Sequence, residues 1–568
     1  MVSAQLQTKE ILTTDQLDMA SLRRNMPARV VMRLLYVACI WTCLCYVVFK
    51  LSYSKGPVTY LYAHVNRGLL EKVSGEVITT TASADNVPTP GIPQKFLDLN
   101  PQVDSSPSLS EKELLSSLAD RSNLPLAYWT TYKNRPVGNK TCARFPSLYE
   151  LEFNNIYWQT LRTSNGTFYL YGAYYDDRWR AGGIPIVRIL GMVDKIKPLP
   201  TTCQLWFDGM KTAVFSPTTY TYGWYSKWGN YKDGILQPFI ISCKIPKKES
   251  GGKVPSSVSL VEHRCDKPTT NLRVINNRPK VKENFAVCVK GLDFLHQDLS
   301  VRLVEWIELL NILGAQKIFL YELEIHPNIS KVLHYYKKMG LVDLTPITLP
   351  GNQPNIPGFR HFYLKSKLTH KRQNELIPYN DCLYRNLYSY SYVVLLDTDE
   401  IIMPIKHKNW KDLMDDVVKL ALKEKNYTRA SYNVRNVYFL DDLQDGDELT
   451  HVAHEHGIPR YFHMLQHVYR SKNFTKPGAY VKCFHNTERV VSLHNHFPLN
   501  CLGTCTTFSI NTSLAQLQHY RKDCVGSLKN SCKTDFRIHT IRDTIIWRYK
   551  DELVKRTANV LSKLGFFS

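Results

Sequence analysis

One short stretch of the chain crowds three carboxylates in a way that could hold a cation. "SYVVLLDTDEIIMP", residues 391–404, places Asp397, Asp399 and Glu400 directly behind an apolar run. Carboxylates this close repel one another, and a cation, backbone donors or solvent can relieve that repulsion. Hard oxygen donors suit Mg²⁺ or Mn²⁺ rather than zinc. A dication held there could neutralise a diphosphate leaving group. The alternative is a solvated turn after a strand.

Such a site needs a scaffold, and from Asn284 onward the chain has the pattern of one. The strand-like runs "FAVCVKGLDF", "AQKIFLYELE", "LVDLTPITL" and "YVVLLDTDE" alternate with the helical runs "DLSVRLVEWIELLNILG", "NISKVLHYYKKMG" and "QNELIPYNDCLYRNLYSY". This alternation predicts an α/β fold with a Rossmann-like, mostly parallel sheet over residues 284–550. Ligands bind beyond the carboxyl ends of such strands, which is where Asp397 and Asp399 fall.

A smaller β-rich domain is expected before that sheet, at residues 124–283. Short runs rich in Tyr, Trp, Phe and Val, such as "GTFYLYGAYYDDRW" and "GILQPFIISCKI", are broken by Gly and Pro. This pattern predicts antiparallel strands. The aromatic side chains either fill the core of this domain or stack on sugar rings, and the sequence leaves both interpretations open.

The N-terminal region predicts a membrane anchor. "LLYVACIWTCLCYVVF" is an uncharged apolar run of 16 residues, and the preceding residues from Val30 bring it to the length that a bilayer requires. Arginines precede it, which favours a cytoplasmic N-terminus. We therefore predict a cytoplasmic tail at 1–29, a transmembrane anchor at 30–50, a Ser-, Thr- and Pro-rich flexible stem at 51–123 and a C-terminal tail at 551–568.

The charge of the chain does not point to nucleic acid. The net charge is +22, but the lysines and arginines are scattered and no nucleic-acid-binding motif accompanies them. The predicted partners are therefore the membrane, through the N-terminal helix, and anionic ligands.

Cysteines and glycosylation signals beyond the predicted anchor fit an oxidising compartment. The eleven cysteines there contain no CxxC pair, so a cysteine zinc site is not indicated, and most are expected to form disulfides. Their odd number leaves a free thiol, and Cys288 in the apolar "FAVCV" is the candidate. N-glycosylation signals occur at Asn139, Asn165, Asn328, Asn426, Asn473 and Asn511.

The sequence motifs of the α/β segment resemble those of glycosyltransferase family 92, a family with the GT-A fold. The matching pieces over residues 285–549 are "FAVCVKGL", "LVEWIELLNILGAQKIFLYE", "YVVLLDTDEIIMP", "YVKCF", "HNHFP" and "QHYR". The resemblance implies an inverting, Mn²⁺-dependent β-galactosyltransferase of the Golgi membrane, with type II topology. It also implies UDP-galactose as the donor and a glycan of a glycoprotein or glycolipid as the acceptor.

The resemblance assigns metal-binding roles to particular residues. Asp399 would ligate the metal (Mn²⁺ or Mg²⁺) directly, and Asp397 would contact the metal or the ribose of the donor. Enzymes of this fold often add a late histidine as a ligand. His494 and His496 of "LHNHF" are the candidates, with His519 behind them. The two would share one face if that stretch is a strand.

Other residues are expected to bind the donor or to act on the acceptor. Lys482 could bind the diphosphate as a point charge and Arg521 as a bidentate fork, and Lys290 follows the first strand, where the nucleotide docks. Inversion needs a general base, and the sequence does not choose among Asp441, Asp442, Glu455 and Glu488.

Two other functions remain open at this stage. The same fold could use another nucleotide sugar, or the protein could be a lectin-like protein that has lost catalysis. The second is disfavoured because a non-catalytic site has no need of two crowded carboxylates.

Overall fold

Two large sheets follow one another along the part of the chain that the computed structural model describes, which is Leu124 and residues 142–179, 182–444, 455–524 and 526–567. The predicted cytoplasmic tail, transmembrane anchor and flexible stem, at residues 1–123, lie outside these residues. None of the helices described is long and apolar enough to cross a membrane.

The first sheet is antiparallel throughout, apart from one pairing that closes it on itself. Its strand order is β1-β2-β3-β4-β7-β6-β5-β8-β9, and β9 also pairs in parallel with β3. The strands are β1 (Phe153–Asn155), β2 (Trp158–Thr163), β3 (Gly166–Asp176), β4 (Ile186–Val193), β5 (Thr202–Trp206), β6 (Val214–Tyr222), β7 (Gln237–Lys244), β8 (Ser257–Val261) and β9 (Leu272–Ile275). Buried aromatic side chains such as Phe168 and Phe239 fill its interior.

The second sheet has seven strands in the described residues and forms the α/β part. Its order is β12-β11-β10-β13-β18-β15-β21, and four of its six neighbouring pairings are parallel. The strands are β10 (Glu283–Phe294), β11 (Lys317–Ile325), β12 (Val342–Pro346), β13 (Tyr390–Leu395), β15 (Ser431–Val434), β18 (Lys482–Asn486) and β21 (Thr507–Ser509). The predicted mixed α/β fold is confirmed.

Helices connect the parallel strands as the apolar periodicity predicts. The first, α1, ends before Gly314, whose φ of 105° lies in the left-handed region that glycine favours. Three helices were not predicted: α3 (Pro357–Ser366), α5 (Trp410–Glu424) and α6 (Lys550–Lys563). The longer helices are α1 (Ser300–Leu313), α2 (Pro327–Lys338), α3 (Pro357–Ser366), α4 (Leu368–Arg385), α5 (Trp410–Glu424) and α6 (Lys550–Lys563). Single helical turns lie at Leu148–Glu150, Ser226–Trp228, Lys247–Ser250, Asp441–Leu443, Gly526–Leu528, Lys529–Ser531, Cys532–Phe536 and Ile545–Tyr549.

A small three-stranded sheet begins just after β13, and one strand prediction is therefore wrong. The run "YVVLLDTDE" is not one strand, because β13 ends at Leu395 and Glu400 starts a strand of the other sheet. This sheet has the order β14-β22-β16, with β14 at Glu400–Pro404, β16 at Asn436–Leu440 and β22 at Ala515–Arg521. Two hairpin-like pairs complete the strands: β17 (Tyr469–Ser471) with β23 (Thr540–Arg542), and β19 (Val490–Leu493) with β20 (Pro498–Cys501).

The two large sheets share one apolar core. Helix α4 packs against β3, β4 and β7 of the first sheet on one side and against β10 of the second on the other. A buried carboxylate, Asp381, joins them: it accepts hydrogen bonds from the hydroxyls of Tyr174 in β3 and Tyr321 in β11, and from Nε of Arg385.

The disulfides correct the prediction of the free cysteine. Cys288 is bonded to Cys382, and the free thiol among the described residues is the buried Cys483. Burial made Cys288 resemble a free core cysteine, but the residue that faces it across the core is another cysteine, on α4. The other pairs are Cys142–Cys265, Cys203–Cys243, Cys501–Cys505 and Cys524–Cys532.

Candidate active site

The register of the strands brings two lysines to the turn at residues 397–400, which follows β13 and carries Asp397, Asp399 and Glu400. We call this segment the acidic turn. In the parallel pair β10–β13, Cys288 lies opposite Leu395, and Lys290 and Asp397 each lie two residues further along their chains. In the antiparallel pair β13–β18, Val394 lies opposite Phe484, which places Lys482 beside the end of β13. The local sequence alone does not contain this arrangement.

Both lysines form ion pairs with Asp397. The carboxylate of Asp397 lies 3.0 Å from Nζ of Lys290 and 3.4 Å from Nζ of Lys482. Burial raises the pKa of Asp397, but these two ammonium groups outweigh it and hold the pKa well below its usual range. Lys290 also lies 3.7 Å from Glu375 of α4. Asp397 is therefore ionised and already compensated by the protein.

Asp399 and Glu400 share a histidine on the neighbouring strand. Glu400 lies opposite His519 in the β14–β22 pair, and the imidazole is 3.3 Å from Asp399 and 3.6 Å from Glu400. Burial lowers the pKa of His519, but the two carboxylates raise it above its ordinary value. Glu400 is buried, lies 3.0 Å from Lys482 and accepts a hydrogen bond from the backbone N–H of Asp397, so it orients the turn.

These groups open onto a cavity of about 580 Å³. Asp397 and Asp399 lie in its wall, and the side chain of Asp399 is 41% exposed. The other charged or imidazole side chains of the wall are Lys290, Asp293, Arg302, Lys371, Asp441, His463, His519, Arg521 and Lys522. Five cations and two imidazoles surround four carboxylates, which suits an anionic ligand together with a cation.

The predicted donor-binding residues fall in different places. Lys290 and Arg521 line the cavity. Lys482 does not: its side chain is fully buried, and its ammonium contacts Asp397, Glu400 and the side-chain oxygen of Asn495. In this structure Lys482 supports the acidic turn from behind.

The structure places His519, rather than His494 or His496, beside Asp399. The stretch "LHNHF" is mostly a bend between β19 and β20 rather than a strand, so the condition under which both imidazoles would share one face is not met. His494 packs against Trp228 and Phe497, and Nδ1 of His496 donates to the carbonyl of Val481. Neither makes an ion pair or hydrogen bond with the acidic turn in the part of the chain described.

Comparison with known families assigns the segment that carries this site. Residues 283–557 match the sequence model of glycosyltransferase family 92. These residues are a glycosyltransferase family 92 domain. The resemblance seen in the sequence over residues 285–549 is thereby confirmed.

The relatives of the family 92 domain are distant. It is 26% identical over 247 residues to β-1,4-galactosyltransferase galt-1 of Caenorhabditis elegans. That alignment covers 42% of this chain and 51% of galt-1, so the chain spans about half the length of this curated relative. The apo structure of the bifunctional glycosyltransferase WbbM matches at 10% identity over 42% of this chain and 37% of that chain, with a TM-score of 0.19. A similarity this weak carries no argument.

The site of the family 92 domain fits a hard divalent cation at Asp399. Its carboxylate is exposed to the cavity, lies beside the imidazole of His519 and has Asp397 as its neighbour in the wall. Carboxylate oxygen and imidazole nitrogen are ligands that Mn²⁺ accepts. The repulsion within the acidic turn does not by itself require a metal, because Lys290, Lys482 and His519 already oppose the three carboxylates.

Of the four carboxylates considered as general base, one lies at the cavity. Asp441 follows β16 and lines the wall. Asp442 is paired with Arg537, and Glu488 with Lys282, both away from this wall. Glu455 is exposed and is not among the residues of the wall.

Several residues that support this site were not predicted from the sequence. Asn495 accepts from both Lys482 and the hydroxyl of Tyr379. Asp293, at the end of β10, lines the cavity and contacts Nδ1 of His361 at 3.1 Å. Asp293 lies at a predicted strand end, as Asp397 does, and that position was a usable signal. Asn495 had no such signal, because it is brought in by a bend far along the chain.

A buried histidine of the same sheet should make the domain sensitive to acid. His485 in β18 is fully buried, and neither ring nitrogen has a hydrogen-bond partner in the described residues. Burial lowers its pKa to about 3. The unfolded chain takes up this proton near pH 6.5 and the folded chain does not, so stability should fall by about 1.4 kcal/mol per pH unit from pH 6.5 down towards pH 3.

The variant His485→Leu tests this expectation by denaturant unfolding at pH 7.5 and pH 5. We expect the loss of stability between the two pH values to be about 2 kcal/mol smaller in the variant than in the unmodified chain. His263→Gln, which changes an exposed histidine, should leave the pH dependence as it is. Equal pH dependence in His485→Leu and the unmodified chain would contradict the assignment.

Proposed function

We propose that the family 92 domain transfers galactose from UDP-galactose to a glycan acceptor, with inversion at the anomeric carbon and a divalent ion at Asp399. A GT-A arrangement is supported by the parallel strands that end at the acidic turn. The observation that carries the proposal is the position of Asp397 and Asp399 in the wall of a cavity that is otherwise rich in cations. A nucleotide sugar presents a diphosphate to such a wall, and its oxygens can both pair with cationic side chains and bind a metal.

Different residues of the wall would bind different groups of the donor. Arg521 at the end of β22, Lys522 directly after it and Lys371 of α4 can pair with phosphate oxygens. Asp399, with Asp397 and His519 beside it, would hold Mn²⁺ or Mg²⁺, which would neutralise the charge that develops on the departing diphosphate. Lys290 keeps Asp397 ionised and directed at the cavity. A carboxylate in the wall would take the proton of the acceptor hydroxyl.

The donor sugar is proposed from the curated relative and the acceptor class from the family resemblance of the sequence. The galt-1 protein is named a β-1,4-galactosyltransferase, which supports galactose as the transferred sugar. The acceptor would be an N-glycan-type chain on a glycoprotein, or a glycolipid.

A Golgi location with a type II anchor belongs to the same proposal. It is supported by the apolar run at residues 34–49 and the six glycosylation signals of the sequence. Five disulfides within the described residues also support it, because disulfides persist in secretory compartments.

The proposal is tested with the full chain in detergent, a panel of nucleotide sugars and a glycan array. We expect UDP-galactose to be the preferred donor, and EDTA to abolish transfer until Mn²⁺ is restored. Faster transfer from another nucleotide sugar would overturn the assignment of UDP-galactose as the donor. Transfer at the same rate with and without EDTA would overturn the proposed requirement for a metal. Glycan binding without transfer from any donor would favour the lectin-like alternative.

A further inference from the structure

A second group of metal-ligand side chains lies outside the acidic turn. Oδ1 of Asp441 is 3.0 Å from Nε2 of His467 and 3.6 Å from Nε2 of His463. The two imidazole rings are 4.2 Å apart between centroids, and the ligand atoms of all three residues lie within 4.8 Å of one another. Two imidazoles and one carboxylate therefore converge on one point.

This group is separate from the acidic turn. In the parallel pair β16–β22, Tyr438 lies opposite His519, the histidine that contacts Asp399. Asp441 is three residues further along from Tyr438, a distance of about 10 Å at the rise of a strand. The two groups share no residue, although Asp441 and His463 line the same cavity as Asp399.

The Nε2 atoms of both histidines are directed at Asp441. Nδ1 of His467 donates to the carbonyl of His463 at 2.6 Å, and a neutral imidazole held this way presents an unprotonated Nε2. Without a metal, Nε2 of His467 lies within hydrogen-bond distance of Oδ1 of Asp441, at 3.0 Å, so a proton on that nitrogen would leave when a metal binds. Nε2 of His463 is buried without a hydrogen-bond partner in the described residues, and its side chain is only 10% exposed.

The protonation state of His463 also suits a metal ligand. Burial lowers the pKa of His463 to about 4, so this imidazole is neutral at neutral pH.

A buried glutamate fixes the turn that carries the histidines. Glu305 of α1 is 1% exposed and accepts hydrogen bonds from the backbone N–H groups of His463, Met464 and Leu465 at 2.7, 3.0 and 2.9 Å. The position of His463 is therefore set before any ligand binds.

We propose that Asp441, His463 and His467 bind a divalent transition metal of the zinc class at a site distinct from the acidic turn. Two histidines and a carboxylate are ligands that zinc takes, and three protein ligands leave its fourth position open. Because Asp441 and His463 line the cavity, the open position faces water or a substrate oxygen there. Zinc would also make Asp441 a poor general base. The proposal does not depend on the transfer reaction.

The test measures metal binding rather than activity. The full chain, purified without a histidine tag and stripped with EDTA, is titrated with Zn²⁺ by calorimetry and with Co²⁺ by visible absorption. We expect one tight Zn²⁺ site and a rise in the unfolding temperature on binding. His463→Gln and His467→Gln should each weaken Zn²⁺ binding at least about tenfold, since even the loss of an outer-shell partner has that effect.

Two controls locate the metal. His334→Gln, at an exposed histidine on α2, and Asp399→Asn should both retain the tight site. X-ray absorption of the zinc-loaded, unmodified chain should show two imidazoles in the first shell, a result that does not depend on any variant folding. Absence of tight Zn²⁺ binding, its loss in Asp399→Asn, or unchanged affinity in both histidine variants would overturn the proposal.

Discussion

Replacing Asp399 by asparagine should reduce kcat/KM for sugar transfer by at least about 100-fold, while the protein stays folded. Removing a single preorganised electrostatic group from an active site typically costs a factor of that size. The amide keeps the shape of the side chain but removes the negative charge that would bind the dication. Folding should survive because the side chain is 41% exposed to the cavity. The measurement is donor turnover at saturating Mn²⁺, with circular dichroism to check the fold.

A matched variant separates loss of this carboxylate from loss of any surface charge. Asp415→Asn removes an exposed carboxylate of α5 that pairs with Lys411, and it should leave turnover within experimental error. Asp399→Ala should be as inactive as Asp399→Asn. Near-normal turnover of either Asp399 variant would remove this residue from the reaction.

Replacing Asp381 by leucine should lower the free energy of unfolding by about 3–5 kcal/mol, the usual loss when one partner of a buried ion pair is removed. The carboxylate is fully buried between the two large sheets, and Nε of Arg385 lies 2.7 Å from it. Leucine would leave that guanidinium without its anion, and the hydroxyls of Tyr174 and Tyr321 without an acceptor. Denaturant unfolding at neutral pH measures the change.

Asp177→Asn is the control for Asp381, because Asp177 also pairs with an arginine but at a partly exposed position. Exposed pairs contribute about 0–1 kcal/mol, so this variant should differ little from the unmodified chain. If Asp381→Leu were as stable as Asp177→Asn, the buried carboxylate would not be what joins the sheets.

The local sequence was sufficient to propose a cation at the acidic turn, but not to identify the side chains that compensate its negative charge. Three adjacent carboxylates imply a compensating charge, and a dication was the hypothesis. In the structure, Lys290, Lys482 and His519 supply compensation from three other strands. A metal at Asp399 therefore adds to an already balanced group, and its proposed role lies in binding the donor rather than in holding the turn together.

Local patterns were sufficient for the parts of the fold that depend on nearest neighbours along the chain. Apolar periodicity of 2 and 3.6 residues predicted the α/β alternation, the antiparallel first domain and a strand end at Asp397, because each strand or helix must bury one side of itself. The family resemblance was likewise visible in short motifs of the α/β segment, and the match over residues 283–557 confirms it.

Contacts between distant segments were decided only by the tertiary structure. Strand register selected His519 over His494 and His496 as the neighbour of Asp399, and packing of α4 on β10 paired Cys288 with Cys382. The cluster of Asp441, His463 and His467 is another such case, since a turn fixed by Glu305 brings its histidines to the end of β16. The physical reason is that side-chain type and spacing restrict which contacts a residue can make, whereas its partner across the core is chosen by the packing of the whole domain.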